Sequence, residues 1–218
     1  MENVAIREAP AYEYAVASRA LAGQRQSGDA ALVCARTDGV LVAVVDGLGH
    51  GEDAAAAAEV AITTLREHVA QPVATLLQRC HETLQLTRGV AMAVATLETS
   101  SATLTWCGVG NVEGVLLTSG HGASRGKLFL TNRGGVVGYR LPAITASVVP
   151  LFPGDLLIFA TDGIDERFVA GAIPHGAPNQ MARAILDRHG KATDDSLVLV
   201  LRWLGPGAGK NEGVRHER

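Results

Sequence analysis

Two apolar runs, each of the length of one buried β-strand, end directly in the dipeptide Asp-Gly. Residues 41–45 lead into Asp46, and residues 156–161 lead into Asp162. Strands that are apolar along their whole length are typical of a sheet covered on both faces. An aspartate at the exit of such a strand has little water to solvate its charge, so each of these carboxylates requires a partner.

The remaining pattern consists of short β-rich segments, with glycine-containing turns between them, and three helical stretches. Helical spacing of apolar residues predicts helices over residues 52–69, 72–84 and 179–189. The turn 36–39, which contains Asp-Gly, predicts a tight hairpin between the first two predicted strands. The predicted strands are 30–35, 40–45, 90–97, 102–107, 112–117, 127–130, 145–151, 156–161 and 196–204.

The order of these segments predicts the fold class. Helical and β segments come in separate runs, which is typical of an α+β fold. The simplest arrangement is a central antiparallel β-sandwich flanked by helices on its outer faces. With 218 residues and 47% hydrophobic side chains, the chain suits a single domain, expected over residues 1–204. Residues 205–218 have too little apolar content to pack, so we expect a disordered tail.

Composition excludes several classes of function. The chain has 19 Lys and Arg against 22 Asp and Glu, a net charge of −3, so no positive field attracts a nucleic acid. The longest apolar runs are far below the roughly 18 residues that span a bilayer, which predicts no membrane segment. The N-terminus lacks a basic leader with an apolar core, and three cysteines cannot all pair with one another. We therefore expect a cytoplasmic protein.

Further acidic residues occur at strand ends. Asp29 precedes the first predicted strand, and Asp194 and Asp195 precede the last. If these ends converge, two carboxylates about 4 Å apart repel by about 4 kcal/mol at a dielectric constant of about 20, so the group must take up protons or bind cations. All the candidate ligands are oxygens, which favours Mg²⁺ or Mn²⁺. The alternative is that Asp-Gly serves only as a turn, as it does at Asp38.

The order of these motifs resembles that of a known family. Residues 44–51 (VVDGLGHG), 159–164 (FATDGI) and 193–197 (TDDSL) are similar to the motifs of the metal-dependent protein phosphatase 2C superfamily. The similarity is greatest to its bacterial sporulation and stress-response branch, which includes stressosome feedback phosphatases, and it covers about residues 26–204. It implies a β-sandwich flanked by helices.

The resemblance also implies a site with two divalent cations, Mn²⁺ or Mg²⁺. Asp46 would bridge the two ions, and the carbonyl of Gly47 would bind one of them. Asp162 and Asp194 would complete the other ion's site, and Asp29 would act mainly through metal-bound water. Water between two such ions has a lowered pKa and attacks phosphorus without a covalent phosphoenzyme.

The chain departs from the eukaryotic pattern at the general acid. Leu48 stands where eukaryotic members have a histidine that protonates the leaving group. His50, two residues later, is the candidate catalytic substitute, although a histidine between two glycines could instead cap or line the start of the following helix. The eukaryotic phosphate-binding arginine has no clear counterpart. Larger relatives have a mobile flap, and the segment between residues 136 and 162 is too short to leave much room for one. We therefore expect the open surface to select the substrate.

The resulting hypothesis is a phosphatase that acts on phosphoserine or phosphothreonine. Within this branch the substrate would be a phosphorylated bacterial signalling protein, such as a stressosome scaffold or an anti-sigma-factor antagonist. Two alternatives remain open. One is a catalytically weak or dead binding module that keeps the fold, which the presence of all four aspartates argues against. The other is a two-metal nuclease, which would require a basic groove.

Overall fold

The computed structural model describes residues 11–119, 126–171 and 173–206. Within these ranges the chain forms ten strands and four helices. In chain order they are β1 (Tyr12–Arg19), β2 (Asp29–Arg36), β3 (Gly39–Gly47), α1 (Glu52–Glu67), α2 (Val73–Thr83), β4 (Val90–Glu98), β5 (Thr103–Val109), β6 (Glu113–Thr118), β7 (Gly126–Phe129), β8 (Ser147–Pro150), β9 (Leu156–Ala160), α3 (Arg167–Ala170), α4 (Pro178–His189) and β10 (Ser196–Trp203).

The strands form two five-stranded antiparallel sheets. The first sheet has the order β1-β10-β9-β6-β7, and the second has the order β2-β3-β4-β5-β8. The predicted hairpin is confirmed, since β2 and β3 pair from Arg36 opposite Gly39 back to Asp29 opposite Asp46. The predicted α+β class, a sandwich flanked by helices, is also confirmed.

Three apolar layers hold the fold together. One lies between the two sheets, one between the second sheet and helices α1 and α2, and one between the first sheet and helices α3 and α4. Strand β3 contributes to two of them. Val42 and Val44 face the layer between the sheets, while Leu41, Ala43 and Val45 face the helices. Burial on both faces explains why this strand has no polar residue before Asp46.

Helix α1 fits closely on the second sheet because its inward face is built from alanines. Ala54, Ala57, Ala58 and Ala61 are at most 1% exposed. Small side chains allow the helix backbone to approach the strands. Glu52 and Asp53 occupy its first turn, where the N-terminal end of the helix dipole favours negative charge.

Two elements are absent from the sequence prediction. Strand β1 pairs with β10 along its whole length. Its Ala15 and Ala17 pack against the layer below α3 and α4, and on its opposite face Tyr12 packs against the layer between the sheets. Tyr14 and Val16 lie on the same face as Tyr12 but are 49% and 42% exposed. The alternation of Tyr12, Tyr14 and Val16 is a strand signal that the sequence prediction missed. Helix α3 has only four residues and no periodicity to detect.

The domain boundaries stay a prediction. The expected disordered tail falls mainly on residues 207–218, which lie outside the described residues. No helix in the described ranges has both the length and the apolar character required to span a membrane.

Candidate metal centre

The predicted acidic residues lie at one end of the sandwich, between the two sheets. Asp29 and Asp46 are directly opposite each other on β2 and β3. The N–H of Gly47 donates to the carbonyl of Gly28 (3.0 Å), so the next pair along, Asp29 and Asp46, is a non-hydrogen-bonded pair. In such a pair the Cβ atoms are about 4.5–5.5 Å apart and both side chains lie on one face of the sheet.

The first sheet contributes the other carboxylates. Asp162 follows the end of β9, and Asp194 precedes the start of its antiparallel neighbour β10. Thr161 connects the two sheets here, because its hydroxyl donates to Asp29 Oδ2 at 2.7 Å. The same hydroxyl accepts the N–H of Leu197 at 2.9 Å. The sandwich therefore brings Asp29, Asp46, Asp162 and Asp194 to one end, as the sequence predicts.

Close backbone approach explains the glycine that follows each of two aspartates. A Cβ atom on Gly47 would lie 2.2 Å from the carbonyl oxygen of Ala54 in α1. A Cβ atom on Gly163 would lie 1.7 Å from the carbonyl oxygen of Asp195. Neither position has room for a side chain, so Asp-Gly here does more than form a turn.

Burial makes the charges of these carboxylates costly. Desolvation, followed by the negative charges of Asp29, Asp162 and Asp194, raises the pKa of Asp46 to about 8. Desolvation likewise raises the pKa of Asp29 to about 7, against the opposing effect of the Thr161 hydrogen bond. The pKa of Asp162 is also raised, chiefly by desolvation and then by Asp194. A cation at this position would favour the ionised carboxylates and so oppose both the desolvation and the mutual repulsion that raise these pKa values.

Asp162 has two further polar neighbours. The amide nitrogen of Asn111 donates to Asp162 Oδ2 at 2.6 Å. Lys191 Nζ donates to the backbone carbonyl of Asp162 at 2.6 Å, and its charge lowers the pKa of the Asp162 carboxyl. Asn111 therefore orients one carboxylate oxygen of Asp162, and Lys191 provides positive charge at the rim of the site.

Asp195 differs from its neighbour Asp194 in its hydrogen bonds. Its two carboxylate oxygens accept the backbone N–H groups of Leu21 (2.7 Å) and Gly28 (2.8 Å). Asp195 therefore anchors the segment that precedes β2. Asp194 accepts one bond, from the N–H of Asp195 at 2.9 Å, and keeps its second oxygen without a described donor. This difference supports the choice of Asp194 as a ligand.

The Asp195 contact also affects the carbonyl of Gly47. In a regular ladder the N–H of Gly28 would donate to that carbonyl. Instead this N–H turns to Asp195, and no described hydrogen bond reaches the Gly47 carbonyl or the Asp46 carboxylate. Among the described residues neither oxygen group thus accepts a hydrogen bond, which fits the predicted binding of a hard divalent cation.

The carboxylates are near one another without surrounding a common point. Across the described ranges, no three His, Cys, Asp or Glu side chains are spaced to hold one ion together. The donor chemistry fits Mg²⁺ or Mn²⁺, and the ligand set Asp29, Asp46, Gly47, Asp162 and Asp194 stays a prediction.

His50 lies in the loop between β3 and α1, close in sequence to Asp46. Its ring is exposed, and Nδ1 lies 3.3 Å from Gln24 Nε2. The N-cap of α1 is Gly51, without a side-chain cap hydrogen bond, so His50 does not cap the helix. The role of His50 as general acid stays a prediction.

Sequence reasoning missed Thr161, Asn111 and Lys191 as parts of this site. Thr161 could have been found, because it immediately precedes Asp162 in a buried strand where a hydroxyl needs a partner. Asn111 belongs to the turn between β5 and β6, and Lys191 to the loop before β10. Their approach to Asp162 depends on the pairing of distant strands, for which the local sequence carries no signal.

Comparison with known proteins gives a family match over most of the chain. The sequence model described as stage II sporulation protein E matches residues 36–204. The phosphoserine phosphatase RsbX of Bacillus subtilis (strain 168) is 21% identical over 182 residues, which cover 84% of this chain and 89% of that protein.

Solved structures share the fold. A structure described as belonging to the bacterial stressosome, "a modular system that has been adapted to control secondary messenger signaling", is 29% identical, with a TM-score of 0.79 and coverage of 88% of this chain and 99% of that one. RsbX in complex with magnesium is 18% identical, with a TM-score of 0.78 and coverage of 88% and 94%. The catalytic domain of the serine/threonine phosphatase PstP with two manganese ions is 16% identical, with a TM-score of 0.66 and coverage of 88% and 98%.

Proposed function

We propose that this chain, which belongs to the stage II sporulation protein E family and thereby to the protein phosphatase 2C superfamily, is a metal-dependent protein serine/threonine phosphatase. The observation that carries this proposal is the buried end of β3. There the Asp46 carboxylate faces Asp29 and lies near Asp162, with a raised pKa and no described donor. An arrangement of this kind costs stability in a protein that does not bind cations.

Two divalent cations, Mn²⁺ or Mg²⁺, are the proposed cofactors. Asp46 and the Gly47 carbonyl are the proposed ligands from the second sheet, with Asp29 acting through water. Asp162 and Asp194 are the proposed ligands from the first sheet. When bound, the ions supply an activated water nucleophile and neutralise the oxygens of the phosphoryl group.

The protein's own groups position this chemistry. Asn111 holds Asp162 Oδ2, Thr161 holds Asp29 Oδ2, and Asp195 holds the backbone that carries Asp29. Such outer contacts fix the direction of a ligand oxygen before an ion arrives. The exposed imidazole of His50 is the proposed proton donor to the serine or threonine oxygen that leaves.

The proposed substrate is a phosphorylated bacterial signalling protein, of the stressosome scaffold or anti-sigma-factor antagonist type. The names of the relatives, a stressosome assembly and RsbX, support this choice. The proposed compartment is the cytoplasm, which the free state of Cys34, Cys80 and Cys107 supports. Remote contacts with a folded substrate can orient its phosphate, so we expect a higher kcat/KM for the folded phosphoprotein than for its excised phosphopeptide.

A phosphatase assay combined with calorimetry tests this function. The purified chain should hydrolyse p-nitrophenyl phosphate and a phosphoserine protein in Mn²⁺ or Mg²⁺, lose both activities in a chelator and regain them when metal is added. Calorimetry should show divalent cation binding that Asp46→Asn removes. Metal binding without turnover of either substrate would instead identify a catalytically dead module, and absence of both would overturn the metal-centre interpretation.

A further inference from the structure

Strand β2 is an end strand of the second sheet, and its outer edge is open. Among the described residues it pairs only with β3. Hydrogen bonding alternates along an antiparallel pair, so the backbone groups of Asp29, Ala31, Val33 and Ala35 point away from β3. Ser27 Oγ accepts the N–H of Asp29 at 3.1 Å. The N–H and C=O groups of Ala31 and Val33 have no described hydrogen-bond partner.

The side chains on this strand do not protect its edge. Natural proteins commonly block an open edge with lysine, proline or a bulge. Between Asp29 and Arg36 the strand has only Ala, Leu, Val and Cys, and its register with β3 runs without interruption. The strand is thus a regular template for a further strand.

A groove lies beside residues 29–31 of this edge, between β2 and helix α1. Its volume is about 540 Å³. Alanines line both sides, with Ala30 and Ala31 on the strand and Ala55 and Ala56 on the helix. These small side chains leave space for the backbone of an extended peptide. From Asp29 to Ala35 the open edge is about 20 Å long, at about 3.3 Å per residue, which suits a segment of about six residues.

The groove carries negative charge and ends at the metal centre. Its lining includes the acidic residues Asp29, Glu52 and Glu59 and contains no Lys or Arg. The complementary occupant is therefore a segment with basic residues. Asp29 belongs both to the groove and to the acidic end of the sandwich. A segment in the groove would reach the proposed phosphatase site at Asp29.

We propose that the open edge of β2 binds an extended, basic segment of the phosphorylated substrate as an added β-strand, which directs the phosphorylated residue to Asp29. Backbone hydrogen bonds would supply sequence-independent affinity, and the carboxylates of the groove would select basic flanking residues. The inference rests on the proposed phosphatase function for the identity of the occupant.

Hydrogen exchange on the full chain tests the strand pairing directly. The probe is an eight-residue peptide that carries a non-hydrolysable phosphonate analogue of phosphoserine next to three arginines. We expect the amides of Ala31 and Val33 to exchange quickly in the free protein and to be slowed by this peptide. N-methylation of alternate peptide amides, which removes strand donors and leaves the side chains, should weaken binding about tenfold. Equal binding of both peptides would overturn the proposal, as would protection of these two amides in the free protein.

A charge reversal in the groove tests the selection. Glu59→Lys should lower kcat/KM for the hydrolysable phosphoserine peptide about tenfold and leave turnover of p-nitrophenyl phosphate unchanged. Glu67→Lys, on the same helix and outside the groove lining, is the matched control and should change neither activity. Equal effects of the two variants on kcat/KM would overturn the proposal. In the exchange experiment, slower amide exchange in β2 that depends on protein concentration and accompanies dimer formation would overturn it as well. Failure of the phosphatase function would appear separately, as a lack of p-nitrophenyl phosphate turnover, and the exchange experiment would still decide whether β2 accepts a strand.

Discussion

The substitution Asp46→Asn should stabilise the metal-free protein, and this gain should shrink when metal binds to the wild type alone. In metal-free protein the ionised carboxylate is unfavourable in the folded state, since burial and its neighbours raise its pKa from 3.8 to about 8. Asparagine has nearly the same shape and carries no charge. The variant should therefore be more stable than the wild type in a chelator, and it should lose the metal-dependent activity by orders of magnitude.

The size of the stabilisation follows from the two pKa values. At pH 7 the carboxyl is ionised in the unfolded chain and mostly protonated in the folded protein. About three pH units separate pH 7 from the unfolded value, and each unit corresponds to about 1.4 kcal/mol, so Asp46 lowers the free energy of unfolding by about 4 kcal/mol. A raised pKa means that the folded state binds more protons, so this loss grows as pH rises from about 4 to about 8 and disappears below that window. Asp46→Asn should recover up to about 4 kcal/mol at pH 7, or about 10 °C in melting temperature.

Urea unfolding in a chelator at pH 4 and pH 7 measures this difference. Glu67→Gln removes an exposed carboxylate from α1 and is the matched control, expected to change the free energy of unfolding by no more than about 0.5 kcal/mol. Addition of Mn²⁺ at about 100 times its dissociation constant should stabilise the wild type by about 2.7 kcal/mol and leave the variant unchanged. A variant less stable than the wild type in chelator at pH 7, or one that keeps Mn²⁺-dependent turnover, would refute the reasoning.

Three other substitutions test the surroundings of Asp46. His50→Ala should slow hydrolysis of a phosphoserine protein far more than that of p-nitrophenyl phosphate, whose leaving group needs no proton; equal slowing in parallel kinetic assays would assign His50 a structural role. Asn111→Ala frees Asp162 Oδ2 and should weaken Mn²⁺ binding about tenfold in calorimetry, whereas unchanged affinity would exclude a positioning role. Thr161→Val leaves the N–H of Leu197 and one oxygen of Asp29 without their partner, so urea unfolding should show a loss of about 1–3 kcal/mol, and no loss would contradict the importance of this contact between the sheets.

The apolar runs were sufficient to predict most of the fold. Strand β3 is buried on both faces, and its uninterrupted run of apolar side chains indicates this burial from the sequence alone. The hairpin from β2 to β3 is equally local, because the turn residues and the flanking strands are adjacent. Strand β1 is different, since none of its side chains is fully buried and its ion pair from Glu13 to Arg202 joins distant parts of the chain. Its position depends on tertiary pairing that no local pattern records.

The candidate site divides in a similar way. Asp46 and Asp162 follow buried strands directly, so their sequence context alone predicts an unusual carboxylate. The role of Asp195 could not be predicted, because the residues around it do not separate it from Asp194, which the resemblance alone selected as a ligand. Only the folded backbone shows that Asp195 accepts two N–H groups from the segment before β2, which leaves Asp194 available.

The division of the acidic residues between the two sheets has a consequence for assembly of the active protein. Asp29 and Asp46 belong to the second sheet, while Asp162 and Asp194 flank strands of the first, so neither sheet alone contains all the proposed ligands. A partly folded chain with only one sheet formed would bind divalent cations weakly and would have no competent site. Cation uptake would then report that the two sheets have docked, and phosphatase activity would appear only in molecules that had passed this last step of folding.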